Sequence, residues 1–141
     1  MNPPESIANR TEKVAHQRLV DAVLGGTQWI PVAELGRRLD PHSSTPKEVP
    51  EQWLRSGRIF SIEHDGVLLV PAYLFDAQWE PLPGVAEILQ IFDGYFGWYV
   101  AGWFEAKNSY LGGPSPREVL ALRPDAVVGA AKDNLEPVSN G

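Results

Sequence analysis

Residues 58–71 read RIFSIEHDGVLLVP, and they set the architecture of what lies around them. Phe60 and Ile62 alternate with Ser61 and Glu63, then Asp65-Gly66 supplies the dipeptide that two-residue hairpin turns favour. The apolar run from Val67 to Val70 returns along the first strand. The pattern predicts a β-hairpin.

Helical periods precede it. Trp53 and Leu54 give one helix its apolar side, Gly57 ends it, and Thr45 with Glu48 has the spacing of a capping box around Pro46. Before the loop DPHSST, Pro31 suits a first helical turn, and Val32, Leu35 and Leu39 share a face. Further back, residues 6–24 place Ile7, Thr11, Val14, Ala15, Leu19, Ala22 and Val23 at helical spacing, with Gly25-Gly26 as the stop. Helix, turn, helix and hairpin is the order of a winged helix-turn-helix. The run WLRSGRIFSIEHDGVLLVP resembles the wing region of excisionase- and regulator-type domains of that kind.

On such a scaffold the residues placed to meet phosphate are Arg37 and Arg38 on the second helix and Lys47 and Arg55 on the third. Arg58 at the hairpin's start and His64 near its tip complete the set. Glu48 and Glu51 share the third helix and would repel a phosphate backbone. The same scaffold also serves protein binding, because fold does not fix function.

Downstream, PAYLFDAQWEPLP (71–83) is a proline-punctuated connector whose Tyr73, Phe75 and Trp79 are expected to pack between the two halves. Val85, Ile88, Leu89 and Phe92 then follow helical spacing until Asp93-Gly94. Residues 95–107 predict another helix, and Phe92, Tyr95, Phe96, Trp98, Tyr99, Trp103 and Phe104 set rings all round it. A half-chain of this size has little interior for so many large rings, so both core and interface use are expected, with a homo-oligomer as the consequence. After it, Asn108 and Gly112-Gly113 can take left-handed conformations. Ser115 is placed as an N-cap, Pro116 as the first helical residue and Glu118 as the third member of a capping box. Val119, Leu120 and Leu122 open the next apolar face, Arg123-Pro124-Asp125 interrupts it, and a short helix follows over residues 126–132.

The whole therefore reads as mainly α with one β-hairpin (α+β): a winged helix-turn-helix-like half over residues 1–75, a small helical bundle over 76–133, and a tail over 134–141. With 43% hydrophobic and 21% charged residues, the composition is globular rather than disordered. There is no cysteine, which excludes disulfides and thiolate metal sites and fits a reducing cytoplasm. No apolar run reaches the ~20 residues of a membrane span, and the N-terminal residues lack the apolar block of a signal peptide. Residues 1–75 carry nine acids and eight Lys/Arg, whereas residues 76–141 carry nine acids and four Lys/Arg. An acidic second half argues against nucleic acid there; it suits a basic or neutral protein partner, or serves solubility alone. No glycine-rich phosphate loop, metal-ligand spacing or nucleophile–base pair occurs, and His16, His42 and His64 are scattered. A non-enzyme without cofactor or metal is expected.

Residues 70–132 also carry a resemblance. Trp98 and Trp103 on a helix, then Asn108, Leu111, Gly112 and Gly113 in a corner, then Pro116, Val119 and Leu120, resemble the C-terminal toxin-binding domain of the Xre/MbcA/ParS antitoxin family. The upstream VPAYLFD and PLPGVAEIL are similar to the entry of that domain. The resemblance implies an antitoxin that dimerises, sequesters a RES-type, NAD⁺-consuming toxin and represses its own operon. The contact residues expected on this basis are Trp98, Trp103, Asn108, Leu111, Gly112 and Gly113, and the clustering of large rings, which dominate interface centres, adds Tyr99 and Tyr110. The alternative is a winged-helix transcriptional regulator whose helical half serves dimerisation.

Overall fold

The computed structural model describes residues 7–135, and Ser6 and residues 136–141 lie outside them. Helix α1 (Ile7–Gly26) runs through the glycine pair expected to stop it. Gly26 lies against the side chain of Glu105, where a Cβ would collide with the carboxylate, so this glycine serves a close approach rather than a cap.

A strand absent from the sequence expectation comes next: β1 (Trp29–Pro31) pairs antiparallel with a later strand. Helix α2 (Val32–Leu39) buries Val32, Leu35 and Gly36. The last of these is pressed against the Pro46 carbonyl, which lets the connection to the third helix pass close. That helix, α3 (Glu48–Arg55), starts later than the Thr45–Glu48 capping box implies. Thr45 Oγ1 instead donates to the Glu48 side chain at 3.0 Å, and Pro46 and Lys47 form a turn outside the helix. Trp53 is buried, Leu54 packs against the core, and Gly57, at φ 74°, turns the chain into the hairpin.

Strands β2 (Ile62–His64) and β3 (Val67–Pro71) flank Asp65 (φ 51°) and Gly66 (φ 77°), the double left-handed signature of a type I′ turn. The register pairs Ile62 with Leu69 and His64 with Val67. β1 joins the other edge of β3, with Ile30 opposite Val70, so the sheet order is β1-β3-β2. Phe60 lies outside the strand but is buried and stacked on Phe104, 5.8 Å between ring centroids.

The connector makes one 3-10 turn (Ala72–Leu74) and a bridge between Phe75 and Pro81. Helix α4 (Val85–Ile91) buries Val85 and Ile88 as its spacing demands. Helix α5 (Gly97–Glu105) is shorter than residues 95–107, because Gly97 sits against the Ser61 carbonyl and fixes where the helix begins. A single turn, α6 (Pro116–Val119), leads to α7 (Pro124–Leu135). Pro124, expected within a break, takes the first helical position that proline tolerates. α6 ends too early to carry Leu122 inward, and that residue is 82% exposed; Val119 and Leu120 are buried as expected.

The molecule is thus mixed α/β, with a three-stranded antiparallel sheet and seven α-helices among the described residues. The boundary expected at residue 75 runs through one hydrophobic cluster. Val23, Ile62, Val70, Phe104 and Val127 all belong to it, and the Tyr73 ring lies 5.1 Å from Phe104 and 6.5 Å from Trp29. Asn134 and Leu135, expected in the tail, belong to α7. No described helix is long and apolar enough to cross a membrane.

Candidate functional site

Helix α5 divides its rings by direction. Val100, Ala101 and Phe104 face the core, and Trp103 packs between Phe92 and Phe104 at 5.0 and 5.1 Å. The indole Nε1 of Trp103 is buried without a hydrogen-bond partner. Trp98 turns to the sheet, where its Nε1–H donates to the Glu63 carbonyl at 3.2 Å and its ring meets His64 edge-on. Both tryptophans of the expected contact set therefore hold the fold together, one under the hairpin and one under α4.

The exposed rings lie at the start of the helix. Tyr95 and Tyr99 stack 4.6 Å apart with Phe92 beneath them. Tyr95 is 47%, Tyr99 44% and Phe96 86% exposed. Tyr99 Oη accepts a long hydrogen bond from Asn134 Nδ2 on α7. Tyr110 is 55% exposed, and its ring lies against Gly129 of the same helix, where a side chain would strike the hydroxyl. The expected contact set omits Tyr95 and Phe96, which precede α5 and are exposed. The break at Asp93-Gly94, with Gly94 at φ 87°, is the signal that they precede it.

The corner after α5 is closed by its own backbone. Asn108 N–H donates to the Pro114 carbonyl at 3.2 Å, and Gly113 N–H donates to the Asn108 carbonyl at 2.9 Å. Leu111 N–H reaches both the carbonyl and the Oδ1 of Asn108, each at 3.2 Å. Asn108 is thereby engaged within the loop, and Leu111 is buried beneath it. Gly112 (φ 85°) and Gly113 (φ 120°) have open space at the Cβ position, so glycine is required there for conformation alone. Ser115 N–H donates to Glu118 Oε2 at 2.9 Å, the carboxylate half of the expected capping box, and that hydrogen bond holds the Glu118 carboxyl below the ordinary range. Arg117 Nε–H meets Glu105 Oε2 at 2.8 Å and ties the corner to α5. Nearby, burial pushes the Tyr73 hydroxyl well up, Glu105 adds to the shift, and Arg117 opposes it.

The expected phosphate contacts are dispersed. Arg37 and Arg38 both pair with Glu34, at 3.3 and 3.4 Å, and Arg38 also covers the Trp79 ring at 4.5 Å. Arg58 lies over Trp53 at 5.4 Å, and His64 Nε2 stands 3.4 Å from Asp65. Lys47, in the turn just before α3, and Arg55, at the end of that helix, are both exposed. They line a shallow depression of about 450 Å³ together with Glu48 and Glu51. Two cations and two carboxylates leave that face close to neutral.

Set against protein-family models, curated proteins and solved structures, the chain matches none.

Proposed function

We propose that this chain is a non-catalytic, antitoxin-like protein that binds and neutralises a partner protein through the start of α5 and the corner beyond it. The observation that carries the reading is the group of exposed rings, Tyr95, Phe96, Tyr99 and Tyr110, beside a corner whose backbone is already fixed. Large aromatic side chains dominate binding energy at interface centres, and a preformed loop loses little entropy on docking. The partner implied by the resemblance is a RES-type toxin that consumes NAD⁺. The chain's role towards it is to cover rather than to react.

The test is co-purification with a toxin-sized protein encoded beside this chain. Phe96→Ala with Tyr99→Ala weakens capture by at least about tenfold, since two ring truncations near an interface centre cost upward of 1–2 kcal/mol. The melting temperature stays close to that of the unaltered protein. Full capture by the double variant refutes the surface.

A second reading, a winged-helix regulator, is favoured by one observation: the element order α1-β1-α2-α3-β2-β3 with sheet order β1-β3-β2. The charge pattern weighs against it. With Arg37 and Arg38 engaged by Glu34, Lys47 just before α3 and Arg55 at its end are the cations at that helix, and a protein neutralising two phosphates gives a salt slope of only about −2. Tight operator binding at physiological salt, lost on Arg55→Ala, makes this second reading the leading one.

A further inference from the structure

Helices α3 and α4 end beside one depression, and each gives way there to a glycine turn. Gly57 (φ 74°) follows the first and Gly94 (φ 87°) the second, and a Cβ on either would meet nothing within 4 Å. Two adjoining hollows of about 330 and 310 Å³ open between the turns, with Gly57, Leu89 and Asp93 in the walls of both. Each lies at the small end of the range of about 300–1,000 Å³ that ligand pockets occupy. The second hollow is floored by apolar side chains of the core or packed onto it: Leu54, Ile59, Leu89, Phe92 and Val100. Around the first stand Arg55, Ser56, Gln90 and Asp93. The depression therefore has a polar end and an apolar end.

Charge at the polar end decides what it takes. Arg55 comes from the end of α3 and Asp93 from just beyond α4, and both are exposed. Among the described residues neither forms an ion pair or a side-chain hydrogen bond, whereas Glu34, Glu87 and Glu105 each hold a cation. Opposite charges thus line one hollow without joining. A phosphate there meets the Asp93 carboxylate, and a simple cation meets the Arg55 guanidinium; a molecule carrying both charges answers both. We infer that the depression binds a free α-amino acid with a large apolar side chain. Its carboxylate pairs with Arg55, a charge-assisted contact suited to a guanidinium, and its ammonium pairs with Asp93. The outward carbonyls at the C-terminal ends of two helices favour that ammonium further. The side chain lies over Leu89 towards Phe92 and Val100, where burial of apolar surface adds to affinity. Tyr95 borders the depression and belongs also to the surface proposed for the partner protein. The amino acid binds the chain by itself, so either proposal can fail without the other.

Gly57 and Gly94 serve as reporters, because glycine amides stand apart from the rest in proton–nitrogen correlation spectra. L-Leucine, added to the labelled full chain up to about 10 mM, well above a millimolar dissociation constant, shifts both amides along a saturating curve. N-acetyl-L-leucine lacks the ammonium and L-leucinamide lacks the carboxylate, and each binds at least about tenfold more weakly. Arg55→Gln and Asp93→Asn, both at exposed positions, keep the thermal midpoint of the unaltered protein and weaken leucine binding by about the same factor. Amides that stay in place at about 10 mM leucine overturn the inference. So does a blocked derivative that matches leucine, or a folded Arg55→Gln or Asp93→Asn protein that binds it as the unaltered chain does.

Discussion

Phe104→Ala removes the ring on which the sheet, the connector and α5 converge. Phe104 is fully buried and faces Phe60 at 5.8 Å, Tyr73 at 5.1 Å and Trp103 at 5.1 Å. Truncating a buried phenylalanine costs about 3–5 kcal/mol through lost transfer energy and the cavity left behind. Aromatic pair geometry contributes up to about 1 kcal/mol more. We take about 4 kcal/mol, because the neighbouring rings can relax partly into the void. For a chain of this length that corresponds to a fall in melting temperature of roughly 8–16 °C. The assay is urea and thermal unfolding followed by far-UV circular dichroism and tryptophan fluorescence. Trp29 and Trp53 report on the sheet side, Trp79 on the connector, and Trp98 and Trp103 on α5. Because all five stand on one cluster, both probes move together, the midpoint falls, and the denaturant slope is unchanged. A loss under about 1 kcal/mol, or a variant in which fluorescence and dichroism separate into two transitions, refutes a shared core centred on this ring.

Gly113→Val forces a β-branched residue to φ near 120° and lowers stability by about 1–2 kcal/mol, read as a lower thermal midpoint. The space around that position is open, so none of the loss comes from a clash. The Glu118 carboxyl is held down in the folded state by Ser115 N–H, so its contribution is fully present above the ordinary glutamate value of about 4.3 and fades as pH falls through the lower folded value. Glu118→Gln therefore narrows its stability gap to the unaltered protein as the melt is repeated at lower pH. Leu122→Ser, at a position 82% exposed, changes stability by less than about 0.5 kcal/mol in urea titration.

Local chemistry was readable wherever a few adjacent residues decide the outcome. Asp65-Gly66 fixes its turn by conformational preference, and the Ser115–Glu118 interaction closes over one helical turn; both stand as their spacing indicates. The Thr45–Glu48 pair has the same spacing, yet there the two side chains bond each other and the helix begins later, a choice made by how Pro46 meets Gly36. β1 escaped notice because three residues ending in proline carry no alternation; β3 recruits them as an edge. The candidate site was readable as a concentration of rings but not as a division of labour among them. Trp98 finds its acceptor 35 positions earlier, and Trp103 its cover on α4, contacts that no local period encodes. Exposure consequently falls to Tyr95 and Phe96 rather than to the tryptophans.

The shared ring cluster around Phe104 also sets a timetable for biosynthesis. β1, β2 and β3 can pair as soon as residue 71 is available, but Phe60 and Tyr73 meet the Phe104 ring only once α5 has been made. Until it emerges, Trp29 is the ring that lies beside both. At ~5–20 residues per second the synthesis from residue 72 to Phe104 takes roughly 2–7 s. During that interval a nascent chain bearing a formed hairpin still presents bare aromatic rings, which makes the unfinished protein a substrate for chaperones and proteases in a way the finished one is not.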